Sequence, residues 1–344
     1  MSTIIGYATT LEAIDKATRS HYRDVPRGKG DARAFRKAVE SEWANFGKQL
    51  PNRSEKELIE DLERRFGTYS KVGKTNDVLD LHLGHAILDE TMDVEQYGRK
   101  APFRFVVLDA MTSNGFLGWA TDGGSQDGGW HGEGEIYQVR PAYADGAISE
   151  WLSITDPETR EKELREAAEE SRRDDQLAAT TPIAPMPGLS MRLRMQANEQ
   201  LLAELKGRRL EGDALRDAFI ARVREDIFTS SFRAHEGRHA IDKKYGGILR
   251  FDAELEYRAK LSEIALAPSP RRALAGGITD RGVGADTGHG KANHRIYREF
   301  VKWMTAHAAE IRGLDITRPL LPQLDKLTDD QLRAFARSLD PWAK

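Results

Sequence analysis

Two histidines set four residues apart, in the run His235-Glu-Gly-Arg-His239, constrain this chain more than any other feature. On an α-helix that spacing puts both imidazoles on one face, a turn apart, where they can grip one ion. The chain has no cysteine, so a thiolate site is excluded and any metal must be held by His, Asp and Glu. Phe232, His235, His239 and Asp242 share a stripe, and Gly246-Gly247 supply a stop signal, as expected of a helix. Gly237 inside that helix costs about 1 kcal/mol relative to alanine, so something is expected to pack closely there.

The residues between and beside the histidines make this the HExxH arrangement. Glu236 projects next to the pair, close enough to take a proton from a water held by the metal without itself ligating. Zinc (Zn2+) in such a site lowers its water's pKa toward about 7, and the glutamate acts as general base. A catalytic zinc also needs a third protein ligand and an open position.

The next segment, 252–266, reads as a second helix ended by Pro268, and it carries Glu254, Glu256 and Glu263. Here the chain resembles the HExxH zinc metallopeptidases (zincins), and within them the gluzincins, in which a glutamate on a following helix completes the site. In that group the ligand is commonly followed three residues later by a small side chain. Glu256-Tyr-Arg-Ala259 matches, whereas Glu254 is followed at that offset by Tyr257 and Glu263 by Leu266. The resemblance implies His235, His239 and Glu256 on zinc, with Glu254 and Glu263 as the alternatives for the third place. Against this stands a helical projection that puts Asp252, Glu256, Lys260 and Glu263 on one polar stripe, the pattern of a solvated surface. Glu254 and Arg258 fall among Tyr257, Leu261 and Ala265, where a charge needs a partner. Asp242 is the candidate acceptor for fixing a ligand histidine's tautomer.

The resemblance covers only these two helices. It implies hydrolysis of a peptide bond in a peptide or protein substrate. It also implies an edge strand near the active helix that holds the substrate backbone by β-augmentation. The strand at 136–140 or that at 103–108 is the candidate for this role. Peptidases of this kind need a donor for the tetrahedral oxyanion, and His289 is the first candidate, ahead of His294 and Tyr297. His289 lies in Gly282-Val-Gly-Ala-Asp-Thr-Gly-His-Gly-Lys-Ala-Asn293. That run fails as a P-loop, with Ala285 where the first glycine belongs and Ala292 where Ser or Thr is needed. It reads instead as an irregular loop before a helix containing Tyr297, Phe300 and Trp303.

Upstream, residues 1–95 read as a helical region. Leu11, Ile14 and Ala17, then Phe35, Val39, Trp43 and Phe46, then Leu58, Leu62 and Phe66 recur at helical spacing, with a capping box at Ser54-Glu-Lys-Glu57. Residues 96–344 are expected to form a zincin-like catalytic unit. It holds a small sheet within 102–145, a proline-rich connector at 180–188 and a zinc-binding helical half at 189–344. Phe103–Leu108 and Ile136–Arg140 are rich in β-branched and aromatic residues and read as strands. The glycine-rich stretch 121–134 between them is a candidate flap, with Trp119 and Trp130 near its ends. Asp156-Pro157-Glu158 is a helix start, and the helix after it alternates acids with Arg and Lys at i,i+4 spacing.

The fold class expected is therefore α+β, mostly α-helical. The near-cancelling charge, net -3, argues against a nucleic-acid or anionic-membrane binder. No apolar run approaches a membrane span, and the first residues do not read as a signal peptide, so a cytoplasmic protein is expected. Two other functions fit the same residues: a zinc hydrolase acting on a non-peptide amide, and a non-enzymatic interaction protein with a vestigial site.

Overall fold

The structure, a computed structural model, describes residues 68–75, 78–113, 129–131, 135–246, 252–276 and 286–343, with Ala13, Lys16, Ala34, Lys37 and Ser41 as isolated helical positions. The apolar helical repeats and the capping box expected within 1–66 lie outside the described residues, as do Trp119 and most of the candidate flap. The described chain is mostly helical, with one small sheet, an α+β architecture. It forms two compact units, residues 1–92 with 103–148, and residues 93–102 with 149–344.

The first unit carries the sheet. Strands β1 (Thr68–Thr75), β2 (Val78–Gln96), β3 (Arg99–Ser113), β4 (Gly129–His131) and β5 (Glu135–Val139) lie in the order β1-β2-β3-β5-β4. β1 and β2 pair antiparallel, β3 and β5 parallel, and β4 and β5 antiparallel. Phe103, Phe105 and Val106 are fully buried, so the middle of β3 is covered on both faces. Arg104 is exposed and takes Asp89 with both arms of its guanidinium at 2.7 Å.

Three expectations change here. Residues 68–75 and 78–96 are strand, not helix; in the sequence Leu79, Leu81 and Leu83 alternate with Asp80 and His82, a period-two pattern. The glycine-rich stretch is not all loop, because Gly129–His131 pairs with β5. Both strands named for substrate binding, 103–108 and 136–140, are interior to the sheet, and Arg140 already begins a helix, so neither offers a free edge. β-Augmentation needs unpaired backbone groups, which an interior strand has already spent on its neighbours.

The second unit is helical: α1 (Arg140–Thr155, which begins in the first unit), α2 (Pro157–Thr180), α3 (Pro187–Gly207), α4 (Gly212–Ile227), a π-helical turn (Phe228–Glu236), α5 (Gly237–Tyr245), α6 (Asp252–Leu266), α7 (Pro270–Leu274), α8 (Gly288–Ala306) and α9 (Asp329–Leu339). Asp156 caps α2 as expected, its carboxylate accepting from Thr159 N–H at 2.9 Å. The connector is shorter than 180–188, because Pro187 opens α3. No side chain of its own caps α3; Asp174 of α2 accepts from Leu189 N–H at 2.7 Å instead. A side chain at Gly188 would collide with the α2 backbone at Glu170 and Ser171, so the α2–α3 crossing depends on that glycine.

α6 is the central element. Its second half is buried all round, with Leu261, Ile264 and Ala265 in a core shared with Leu189 and Leu193 of α3, Phe300 of α8 and Phe335 of α9. Phe300 and Phe335 stack with centroids 3.6 Å apart. A helix surrounded in this way has no solvent face to carry its polar residues. Lys260, Ser262 and Glu263 are accordingly buried. The polar stripe that reads as solvated surface therefore faces protein, which is what makes its carboxylates available to a buried site.

Candidate metal centre

The helix bearing the two histidines is not a regular α-helix. Its ladder loosens to i→i+5 bonding over Phe228–Glu236, as in the bond from Gly237 N–H to Phe232 O, and returns to α at Gly237. A π-turn adds one residue to the helix, which rotates the face after it by about 100° relative to the face before. The turn separates α4, which buries Phe219 and Val223, from α5, which buries Arg238, Ile241 and Asp242.

Gly237 sits where the turn ends. A Cβ there would lie 2.8 Å from Val94 Cγ1 and 3.4 Å from Gln96 Nε2, so the close neighbour expected from the sequence is the end of β2. Gly237→Ala is expected to destabilise the protein despite alanine's helix preference of about 1 kcal/mol. Overpacking against a stiff β-branched side chain costs about 1–3 kcal/mol. Adding Val94→Ala should recover part of the loss, and thermal melts of the two singles and the double measure that coupling.

His235 and His239 are buried, with ring centroids 5.0 Å apart. α6 presents Glu256 to both: Oε2 is 3.3 Å from His235 Nε2, and Oε1 is 3.5 Å from His239 Nε2. The ligand atoms of these three residues all lie within 4.8 Å of one another. Two donors each about 2.1 Å from one zinc at a tetrahedral angle stand about 3.4 Å apart, so the two carboxylate–imidazole separations fit a shared ion. Glu256 is largely buried, and its Oε2 faces ring nitrogens of both His235 and His289. Two imidazoles and a carboxylate are a donor set that zinc accepts.

The remaining candidates are placed differently from one another. Glu263 is buried behind His235, its Oε2 3.1 Å from Nδ1. It therefore holds the ring with Nε2 turned toward Glu256 and His239. Glu254 is spent on Arg258 at 2.9 Å and Arg295 at 2.5 Å, and does not join the group. Asp242 is not the acceptor behind a ligand histidine; it is fully buried and accepts from Arg238 at 3.0 Å and Arg258 at 3.3 Å. Both of its oxygens are taken by these arginines, so it does not stand behind a ligand histidine. Glu236 is half-buried beside His235.

His289 belongs to α8 rather than to an irregular loop: Thr287 caps that helix, accepting from Gly290 N–H at 3.0 Å, and His289 is its second residue. It reaches the centre, with Nδ1 2.8 Å from Glu256 Oε2, and is largely exposed. Tyr297 is wholly buried in the core described above, and His294 is half-buried five residues beyond His289. Of the three donor candidates, His289 is the one brought against the carboxylate of the group.

The charges of the group are strongly coupled. Burial disfavours the charged form of His235, but the carboxylates of Glu256, Glu263 and Glu236 outweigh it and push the imidazole up to about 10. Burial likewise opposes ionisation of Glu256, and the imidazoles of His235, His239 and His289 overcome it and hold the carboxyl well below the usual range. Without an ion, a proton on His235 supplies positive charge among these acids.

Sequence reasoning passed over Arg238, inside the motif itself. Its guanidinium is completely buried and donates to Asp242, to Ser262 at 2.8 Å and to both oxygens of Asp340 at 2.5 and 3.1 Å, with Trp342 stacked 4.5 Å from it. Nothing nearby in the sequence signals this, since Asp340 lies about a hundred residues downstream.

No family of known proteins, no curated protein and no solved structure matches the chain. Among the described residues, no helix is long and apolar enough to cross a membrane.

Proposed function

We propose that this chain is a zinc-dependent metallopeptidase, hydrolysing a peptide bond in a peptide or protein substrate. The observation that carries the reading is the convergence of His235, His239 and Glu256 from two helices, with Glu263 buried behind His235. Carboxylate–histidine pairs of this kind orient metal-ligating imidazoles and raise their basicity. When bound, zinc supplies a Lewis acid that brings the acidity of a water molecule to near neutral pH.

The protein's own groups do the rest. Glu236 follows His235 directly in the chain and is half-buried, so it can take a proton from that water and hand it to the leaving amine. His289 is exposed at the rim and reaches the centre with one ring nitrogen, which suits it to donate to negative charge developing on a substrate carbonyl. The preference for a peptide over another amide rests on the resemblance of the two helices to zincins. The same groups would serve either bond.

Metal analysis of purified protein tests the ligand set. Stoichiometric zinc is expected in the wild type, with loss in His239→Ala and in Glu256→Ala. Deleting one of three ligands should weaken binding beyond the roughly 10–100-fold effect of disturbing an outer partner. Full zinc in Glu256→Ala would pass the third place to Glu263, because Glu254 is committed to two arginines. Cleavage of a peptide library by the wild type separates peptide hydrolysis from action on other amides.

A further inference from the structure

We infer that Gln96, at the end of β2, is a positioning residue of the metal centre, holding the π-turn that sets the facing of His235 and His239. This rests on the zinc reading for its consequence, though not for its geometry.

The β2–β3 hairpin turns at Tyr97-Gly98, where φ is 51° and 72°, the doubly left-handed turn that matches strand twist. Its tip, residues 93–102, belongs to the helical unit. From there Gln96 Nε2 donates to Arg233 O at 3.0 Å and to Ala234 O at 2.8 Å. Those are the two carbonyls immediately before His235, in the stretch where the helix ladder has shifted to i→i+5. A π-turn does not persist on its own merits, because its backbone bonds are poorer than those of an α-helix and its carbonyls face outward. A side-chain amide that bonds two of them in a buried setting makes the turn the preferred state.

The orientation of the amide follows from the acceptors. With oxygen and nitrogen exchanged, an oxygen would face two carbonyl oxygens, so Nε2 must point at the helix. Gln96 is buried, and among the described residues its Oε1 has no hydrogen-bond partner. Two more contacts register the same tip along α5. Val94 packs on Gly237, and Lys244 Nζ and Tyr245 OH both donate to Lys100 O at 2.8 Å.

Relaxing the π-turn to α would remove one residue from the loop of the ladder and rotate everything before it by about 100° relative to α5. His235 stands at that junction and His239 a turn beyond it. The turn therefore sets how α4 is rotated against the helix that carries the pair, and so how the pair is held toward Glu256, and Gln96 holds the turn.

The test replaces Gln96 with methionine, which keeps the length and loses the donor, beside Leu332→Ala in α9 as a control that weakens the core away from the centre. In metal-free protein, amide exchange over 233–240 is expected to accelerate at least about tenfold in Gln96→Met relative to Leu332→Ala. Unchanged exchange there overturns the inference, whether or not zinc binds. In the zinc-binding protein, Gln96→Met should lower zinc affinity by about 10–100-fold. It should also alter the visible absorption of the cobalt-substituted form, while Leu332→Ala does neither. Affinity and spectrum identical to wild type overturn it as well. A wild type that takes up no zinc removes the peptidase reading and leaves the exchange comparison to decide on Gln96. Should Gln96→Met not fold, Gln96→Asn, whose donor stops short of the carbonyls, is expected to show the same two changes, and wild-type behaviour in it overturns the inference.

Discussion

Glu236→Gln is expected to lower kcat by about 10²–10⁴-fold while zinc content stays at the wild-type level, because a positioned general base contributes about that factor. The amide keeps the shape of the side chain but cannot accept a proton. Glu236 is half-buried and stands outside the group formed by His235, His239 and Glu256. Metal retention and catalysis should therefore separate in this variant, whereas they fall together in Glu256→Ala. Steady-state kinetics on a peptide cleaved by the wild type, with parallel metal analysis, makes the measurement. A variant that retains zinc and full activity would remove Glu236 from the mechanism. Loss of zinc with the activity would make it a structural part of the centre instead.

Arg238→Met is expected to cost about 3–5 kcal/mol of stability, the loss typical of removing one partner from a buried charge network. Its guanidinium is the shared partner of Asp242 and Asp340, and all three side chains are completely buried. Methionine fills much of the volume but, among the described residues, leaves Asp340 without its cation and Asp242 with Arg258. For a unit of this size each kcal/mol corresponds to roughly 2–4 °C, so Tm should fall by roughly 6–20 °C. Adding Asp340→Asn, which removes one of the stranded charges, should restore part of the loss. A single variant that melts within about 2 °C of the wild type would show that the network adds little net stability. The position has a functional side too. Arg238 is one residue before His239, so the tie to Asp340 and Trp342 fixes the back of the helix whose front carries the imidazoles.

Much of the centre was legible in the sequence because it depends on local periodicity. Four-residue spacing of His235 and His239 requires a helix to bring the rings together, and the resemblance to gluzincins, through the small residue at Ala259, implied Glu256 among three glutamates. Ala259 is fully buried on α6. The Asp156-Pro157 helix start and the strand character of 103–108 came from local chemistry in the same way, cap geometry and β-branched composition. The strand Val78–Gln96 carried its own period-two signal in Leu79, Leu81 and Leu83, next to a region whose apolar spacing is helical.

What could not be read locally are the partners. Glu263 and Glu254 are alike as residues on one helix. Only the packing of α6 decides that the first lies behind His235 while the second is taken by Arg258 and Arg295. Asp242 looked like an acceptor for a histidine because it shares the stripe. Arg238 and Arg258 claim it, since a buried carboxylate takes the nearest desolvated cation. His289 read as part of an irregular loop, and the cap at Thr287 makes it the start of α8, aimed at Glu256. Gln96 lies 137 residues from one of the carbonyls it holds.

The sequence by itself determined the groups available to this protein: two histidines a turn apart on a helix, a glutamate beside them, carboxylates on the following helix, and no thiol. Periodicity and residue type suffice for that, because each is a property of a few neighbouring residues. Tertiary structure alone decided which carboxylate faces the imidazoles, which one stands behind them, what spends the remaining charges and what holds the π-turn. Those assignments follow from burial, where every desolvated charge and every freed carbonyl must find a partner, and the partner is supplied by whichever element packs there.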